Sequence, residues 1–154
     1  MAFLSSMNII GSGLTAQQLR LDIVGENITN VNTTRTEDGD GTYRRKVVVF
    51  QSESGKDSFR AAMARAASGL APNVGYEKAG GVRVTAILED PTDLKLSYDP
   101  AHPDANEEGY VELPNVDMVK EITDAMAASQ AFSSNVTAFN LLKSVVSKGL
   151  DMGQ

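Results

Sequence analysis

The apolar positions at the start of the chain fall into one line. Phe3, Met7, Ile10, Leu14, Gln17, Leu21, Val24, Ile28 and Val31 follow one another in steps of four and three, and only Gln17 is polar. This is the a/d repeat of a coiled coil, carried through about four heptads, and it predicts a single helix over 3–33. Such a helix reaches about 45 Å at about 1.5 Å per residue, more than the width of a small domain. Its seam therefore needs a partner.

A second helical pattern runs from Asp117 to about Leu150. Met118, Ile122, Ala125, Ala128, Phe132, Val136, Phe139, Leu142, Val146 and Leu150 recur at threes and fours. Asn115 or Asp117 is placed to cap it, and Gly149 and Gly153 mark its end. Between the two helices the period drops to two. Tyr43 to Gln51 is rich in β-branched residues and reads as a strand. In 82–88, Val82, Val84, Ala86 and Leu88 share one face. Asp90-Pro91-Thr92-Asp93 then makes a turn, and Leu94 to Tyr98 returns as a third strand. The expected class is α+β: long N- and C-terminal helices packed as a coiled-coil-like pair, with a small β-rich unit between them.

The first helix has a filling that weakens it when isolated. Gly11, Gly13 and Gly25 each cost about 1 kcal/mol relative to Ala. Its only charges over that span are Arg20, Asp22 and Glu26, so few ion pairs support it. It should form mainly when its seam is covered. The run Asn27-Ile28-Thr29-Asn30-Val31-Asn32-Thr33-Thr34 is dense in side-chain amides and hydroxyls. These compete for backbone hydrogen bonds, so the run reads as a helix end, with its amides capping or bridging between helices. The stretch 36–42 is turn-rich but is no calcium loop: with Gly41 in sixth place, Val47 stands where the closing Glu is required. Residues 52–75, polar and then Ala-rich, read as a mobile insertion.

Composition narrows the chemistry. The net charge is −6, which argues against nucleic acid as a partner, since phosphate binding wants a basic surface. Most of that charge sits between Val84 and Val116, where eight acidic residues face Lys95 alone. There is no Cys, hence no disulfide framework or thiolate site. No stretch approaches the roughly 18 apolar residues of a membrane span, so no direct membrane insertion is expected. No basic residue precedes Phe3-Leu4, so no cleaved secretory signal is expected either. The only histidine, His102, has acidic neighbours in Asp99, Asp104, Glu107 and Glu108. It lacks both a nucleophile elbow and a recognised metal spacing. No phosphate loop is present, so the reading is of a protein without enzyme activity or cofactor, built for assembly.

From Ser12-Gly13-Leu14-Thr15-Ala16 through Asn27-Ile28-Thr29-Asn30-Val31-Asn32-Thr33-Thr34, the chain resembles the N-terminal signature of bacterial flagellar rod and hook proteins. Tyr43-Arg44-Arg45-Lys46, Val47 to Phe50, and Tyr98-Asp99-Pro100-Ala101-His102-Pro103-Asp104 through Val111 are similar to the proximal-rod members, as is Pro114-Asn115-Val116. Gly25 stands where that family usually carries a side chain, and 52–75 is longer than usual. The resemblance implies a structural subunit of the flagellar basal-body rod that transmits torque towards hook and filament. It implies an inner axial domain made of 1–34 and 117–154, with 35–116 as an outer β-rich unit. The implied partners are copies of the chain itself, other rod proteins, the base of the rod at the membrane ring, and the flagellar type III export apparatus in transit. The implied place is the periplasm-spanning basal body, reached without signal cleavage. Subunit contacts are expected at the first seam, at Asn27, Asn30 and Asn32, and at Ile122, Phe132, Val136, Phe139, Leu142 and Val146. The alternative is a flagellar export chaperone or helical adaptor.

Overall fold

The seam of threes and fours becomes one helix. In the computed structural model, which describes residues 2–36, 41–53 and 80–151, α1 runs Ala2–Thr29. It stops short of Thr33 because side chains take over the backbone there. Thr29 Oγ1 donates to the Gly25 carbonyl at 2.8 Å, Asn30 Nδ2 donates to the Glu26 carbonyl at 3.0 Å, and Thr33 Oγ1 donates to Asn30 Oδ1 at 3.1 Å. This local competition is what ends a helix. No neighbour within the chain packs closely on Gly25, since a Cβ there meets nothing within 4 Å.

The second helix, α2, occupies Met118–Asp151. Asp117 is its cap: Oδ1 accepts the Val119 N–H at 3.0 Å, and the carbonyl accepts the Glu121 N–H at 2.9 Å. Gly149 lies inside α2 and does not end it; Gly153 falls outside the described residues. The helices pack antiparallel. Gly13 lies against Asn135, Arg20 pairs with Asp124, and Asn27 bonds Glu121, so each step up α1 is a step down α2.

Two small antiparallel sheets fill the middle. Strand β1 (Lys46–Ser52) pairs with β2 (Val82–Glu89), Lys46 opposite Glu89 and Ser52 opposite Val82. The register slips between Val49 and Phe50, which leaves Thr85 unopposed. Of the four residues expected on one inward face of β2, Val84 and Ala86 are half-buried, whereas Val82 and Leu88 are exposed.

Strand β3 (Lys95–Tyr98) does not return against β2. It pairs with β4 (Tyr110–Leu113), a strand the period-two reading passed over. Asn115 explains the difference. Its Nδ2 donates to the Asp90 carbonyl at 3.2 Å and to Thr92 Oγ1 at 2.8 Å, and its Oδ1 accepts the Arg45 N–H at 2.8 Å. The turn after β2 is thus held to the segment following β4, and β3 is directed there. Beneath β3 and β4, Val111, Pro114 and Val116 are fully buried. The return between these strands needs Gly109, whose φ of 82° is left-handed and whose missing Cβ would sit 3.0 Å from the Tyr98 ring.

β2 starts against α1 at Ser12. The hydroxyl accepts the Val82 N–H at 3.0 Å and donates to the Ile9 carbonyl at 2.7 Å. A Cβ on Gly81 would lie 1.9 Å from Ser12 Oγ and 2.8 Å from Ser12 Cβ. The clash is with the root of a short side chain, so the strand itself has to move. Gly81→Ala is expected to destabilise the chain by about 1–3 kcal/mol, the usual cost of overpacking, read as a lower denaturant midpoint with an unchanged slope. The expected insertion past Glu53 and most of the turn-rich loop, residues 37–40, lie outside the described residues.

Candidate assembly site

An asparagine in the body of a helix is a poor helix former, and Asn27 is 1 % exposed. Every polar atom of its side chain is used. Nδ2 donates to the Lys46 carbonyl at 2.9 Å and to Glu121 Oε2 at 3.0 Å. Oδ1 accepts the Lys46 N–H at 2.9 Å and the Tyr43 hydroxyl at 2.9 Å. One side chain thus joins α1, the entry of β1 and the start of α2.

Glu121 is wholly buried, a costly place for a carboxylate unless it is paired and hydrogen-bonded. Arg45 supplies the pairing: its Nε donates to Glu121 Oε1 at 2.6 Å, and its other nitrogens lie 3.5 Å from Asp90 and Asp124. Arg20 reaches Asp124 from α1 at 3.1 Å. Asp90 is held below the usual carboxylate range, first by the Thr92 N–H it accepts and then by the Thr92 side chain and Arg45. The node ties the β unit to both helices of the hairpin.

Tyr43 is 6 % exposed. Burial, and then the negative charges of Glu26, Glu121 and Glu89, push its phenol well above the ordinary 10.0. A folded-state value above the unfolded one stabilises below pH 10.0 and is lost as the pH rises past it. Tyr43→Phe should lose about 1 kcal/mol at neutral pH, one hydrogen bond's worth. It should also show a shallower fall in stability than the parent on the alkaline side, as read from thermal unfolding across that range.

The helix–helix face is made of small residues. Ala16 is 4 % exposed and Ala128 fully buried, and a Cβ on Gly13 would sit 3.1 Å from Asn135 Nδ2. On α2 the covered stripe is Glu121, Ala125, Ala128, Phe132, Asn135, Phe139, Leu142 and Val146, an unbroken alternation of fours and threes. Two of the expected contact positions are one residue off it. Ile122 and Val136 point outwards, 47 % and 37 % exposed, and Glu121 and Asn135 take their places. On α1 the covered line is Gly13, Ala16, Arg20, Ile23, Val24 and Asn27. Of the expected apolar seam only Val24 belongs to it. Met7, Ile10, Leu14, Gln17, Leu21, Ile28 and Val31 are half-buried, as is Asn30, and Asn32 is exposed. Phe3 lies outside the residues whose side chains are described.

The intramolecular face of α1 is thus displaced by one residue, about 100° around the helix, from its most apolar line. Beside it, Arg20, Ile23, Val24, Val47, Val48, Phe50 and Asp124 line a groove of about 260 Å³. Its charged residues are already paired, Arg20 and Arg45 with Asp124 and Lys46 with Glu26.

The His102 loop is structural. Nδ1 of His102 accepts the Asp104 N–H at 3.1 Å, and the Asp104 carboxylate accepts from Thr34 Oγ1 at 2.8 Å and pairs with Arg35. Thr34, then Arg35 and His102, hold Asp104 below its ordinary range. Among the described residues no group of three His, Cys, Asp or Glu side chains could hold a metal, and no helix is long and apolar enough to cross a membrane. Sequence reasoning missed Tyr43, Arg45 and Glu121 as parts of one node. The only available signal was the unbroken heptad that starts at Glu121, which a polar first member disguises.

Residues 7–35 match the family model described as flagella basal body rod protein, and residues 107–152 match flagellar basal body rod FlgEFG protein C-terminal. The chain is 42 % identical to the flagellar basal-body rod protein FlgC of Bacillus subtilis over 152 residues, 97 % of each chain. It is 38 % identical to FlgC of Escherichia coli O6:H1 and 37 % identical to FlgC of Salmonella typhimurium, each over the full length of both chains. Both helices and the intervening β unit fall within these matches, so the chain belongs to the FlgC family of flagellar basal-body rod proteins, and it is a structural subunit of the basal body, not an enzyme.

Proposed function

We propose that the chain enters the rod through its helical hairpin, with 1–34 and 117–154 forming the inner axial domain and 35–116 an outer β-rich unit. The half-open seam of α1 carries this reading. An apolar line of coiled-coil spacing that the chain itself only half-buries leaves apolar surface for a neighbouring subunit. Contacts that join unlike faces and do not close into a ring give helical assemblies. Copies of the chain and the other rod proteins are the partners, with the base of the rod at the membrane ring below. In this reading the subunit passes through the flagellar type III export apparatus without signal cleavage and takes its place in the periplasm-spanning rod. It transmits torque towards hook and filament through packed helices. The expected contact residues are the seam from Phe3 to Val31, the amides Asn30 and Asn32, and the outward Ile122 and Val136. Asn27, Phe132, Phe139, Leu142 and Val146 support these from within the hairpin.

Purified basal bodies test the reading. The chain should remain with the rod through detergent extraction, and cells lacking it should make no rod, hook or filament in electron micrographs. A chain that stays in the cytoplasmic fraction bound to other flagellar proteins would instead identify a chaperone.

A further inference from the structure

Gln17 is the polar member of the α1 seam, and the single chain makes no use of its amide. Its Oε1 is shielded from solvent and meets no hydrogen-bond partner, the only buried side-chain oxygen or nitrogen among the described residues left in that state. Asn27 shows the contrast: an amide that this fold needs is bonded at both ends, four times over. The fold of one subunit therefore gives no reason for a glutamine at position 17.

The surroundings set what could satisfy it. On α1, Ser12 bonds the start of β2 and Glu26 pairs with Lys46 of β1, so the β unit lies to one side of the line that meets α2. Leu14, Gln17 and Leu21 lie to the other side of that line, one step of about 100° around the helix. On α2, Asp124 reaches Arg45 at the entry of β1, whereas Ile122, Met126 and Val136, 47 %, 69 % and 37 % exposed, turn the opposite way. In an antiparallel pair of right-handed helices, a shift of one residue in chain direction carries both helices to the same side. The two open lines are thus neighbours and form one face of the hairpin, turned away from the β unit. That face carries no charge: α1 has no charged side chain before Arg20, and α2 has none from Ala125 to Leu142. Ser129 and Ser133, exposed in the middle of the α2 line, keep it low enough for a third helix to approach.

We propose that Gln17 sets the partner and the register of this face. A helix of an adjacent rod subunit, uncharged along the same stretch, lies between the two open lines and brings one serine, threonine, asparagine or glutamine to the Gln17 amide. The proposal rests on the rod-subunit reading and names the chemistry that the neighbour carries. Turned inwards, the amide oxygen has no partner; turned outwards about its own side-chain bonds, it stands in the surface that the neighbour covers. Within the assembly only a group on the neighbour satisfies it. A purely apolar stripe slips by a helical turn at little cost, because its side chains repeat. One buried amide does not, since a displaced neighbour leaves two polar groups unpaired. A charged helix is rejected by the same face, which offers no counter-charge.

Gln17→Met keeps the length of the side chain and removes the amide, and it should separate stability from assembly. The purified variant should unfold at a denaturant midpoint equal to or above that of the parent, because no intramolecular bond is lost and an unpaired oxygen is removed. In cells making tagged parent and Gln17→Met chains together, the variant should be depleted about tenfold in purified basal bodies relative to its share in the cell, since the neighbour's polar group is left buried without a partner. A photo-cross-linking residue at position 17 should join the chain to an uncharged helical stretch of an adjacent rod subunit containing a Ser, Thr, Asn or Gln. Equal incorporation of parent and Gln17→Met overturns the proposal. So does a Gln17→Met chain less stable than the parent, which makes the glutamine part of the monomer's own fold, and so does a cross-link to a charged segment. If Leu21→Asp also incorporates normally, the seam reading itself fails; if Leu21→Asp is excluded and Gln17→Met is not, only the role of Gln17 does.

Discussion

Asn27→Ala is expected to destabilise the isolated chain by about 3–5 kcal/mol, far more than a typical helix-surface substitution. The side chain makes four hydrogen bonds from a site that is 1 % exposed. Removing it strands the Lys46 amide and carbonyl, the Tyr43 hydroxyl and one oxygen of Glu121. A buried group left unsatisfied costs about 1–3 kcal/mol, and no water-filled solution is open to all four at once. In helix propensity alone the substitution is favourable, because Ala is the better helix former; a stabilised chain would therefore show that the node contributes little. Denaturant unfolding with far-ultraviolet circular dichroism checks it, and Asn27→Asp is the companion variant. Asp keeps the shape, loses the Nδ2 donor and sets a second carboxylate 3.0 Å from Glu121, so it should be at least as damaging at neutral pH and partly recover in acid as one carboxylate takes up a proton.

The fold was legible where periodicity is long and the side chains obey it. Two helices of 28 and 34 residues repeat their pattern many times, so single errors average out. β4, four residues long, repeats its alternation only twice and is fixed by tertiary contacts. The packing face was harder to read. Apolarity predicts that the line through Leu14, Leu21 and Ile28 turns inwards, but these are only half-buried and the fully buried residues of α1 are Ala16, Ile23, Val24 and Asn27. Small residues let the helices approach, and Asn27, Arg45 and Glu121 satisfy one another only as a set drawn from three distant segments. No window along the sequence contains that set. The same displacement makes functional sense, because a subunit whose most apolar line closed on itself would have little to offer a neighbour.

Leu21→Asp and Val24→Asp should separate folding from assembly. Both residues belong to the apolar seam, three apart, yet Val24 is 5 % exposed while Leu21 is half-buried at the edge of the hairpin. A carboxylate at Val24 is buried without a partner and should unfold the hairpin, a loss of several kcal/mol. At Leu21 the new carboxylate keeps its water in the single chain. The cost there is the modest apolar area given up, about 1 kcal/mol, so the purified Leu21→Asp chain should melt cooperatively near the parent. In the proposed rod contact the same position faces a neighbouring subunit, and every copy would bury an unpaired charge. Incorporation into basal bodies should fall below detection and motility should be lost, with the protein still present in the cell at normal amount. Leu21→Met conserves volume and should assemble normally. Normal motility in Leu21→Asp cells would show that the open seam is not a subunit contact, while an unfolded Leu21→Asp chain would show that the seam closes within the monomer.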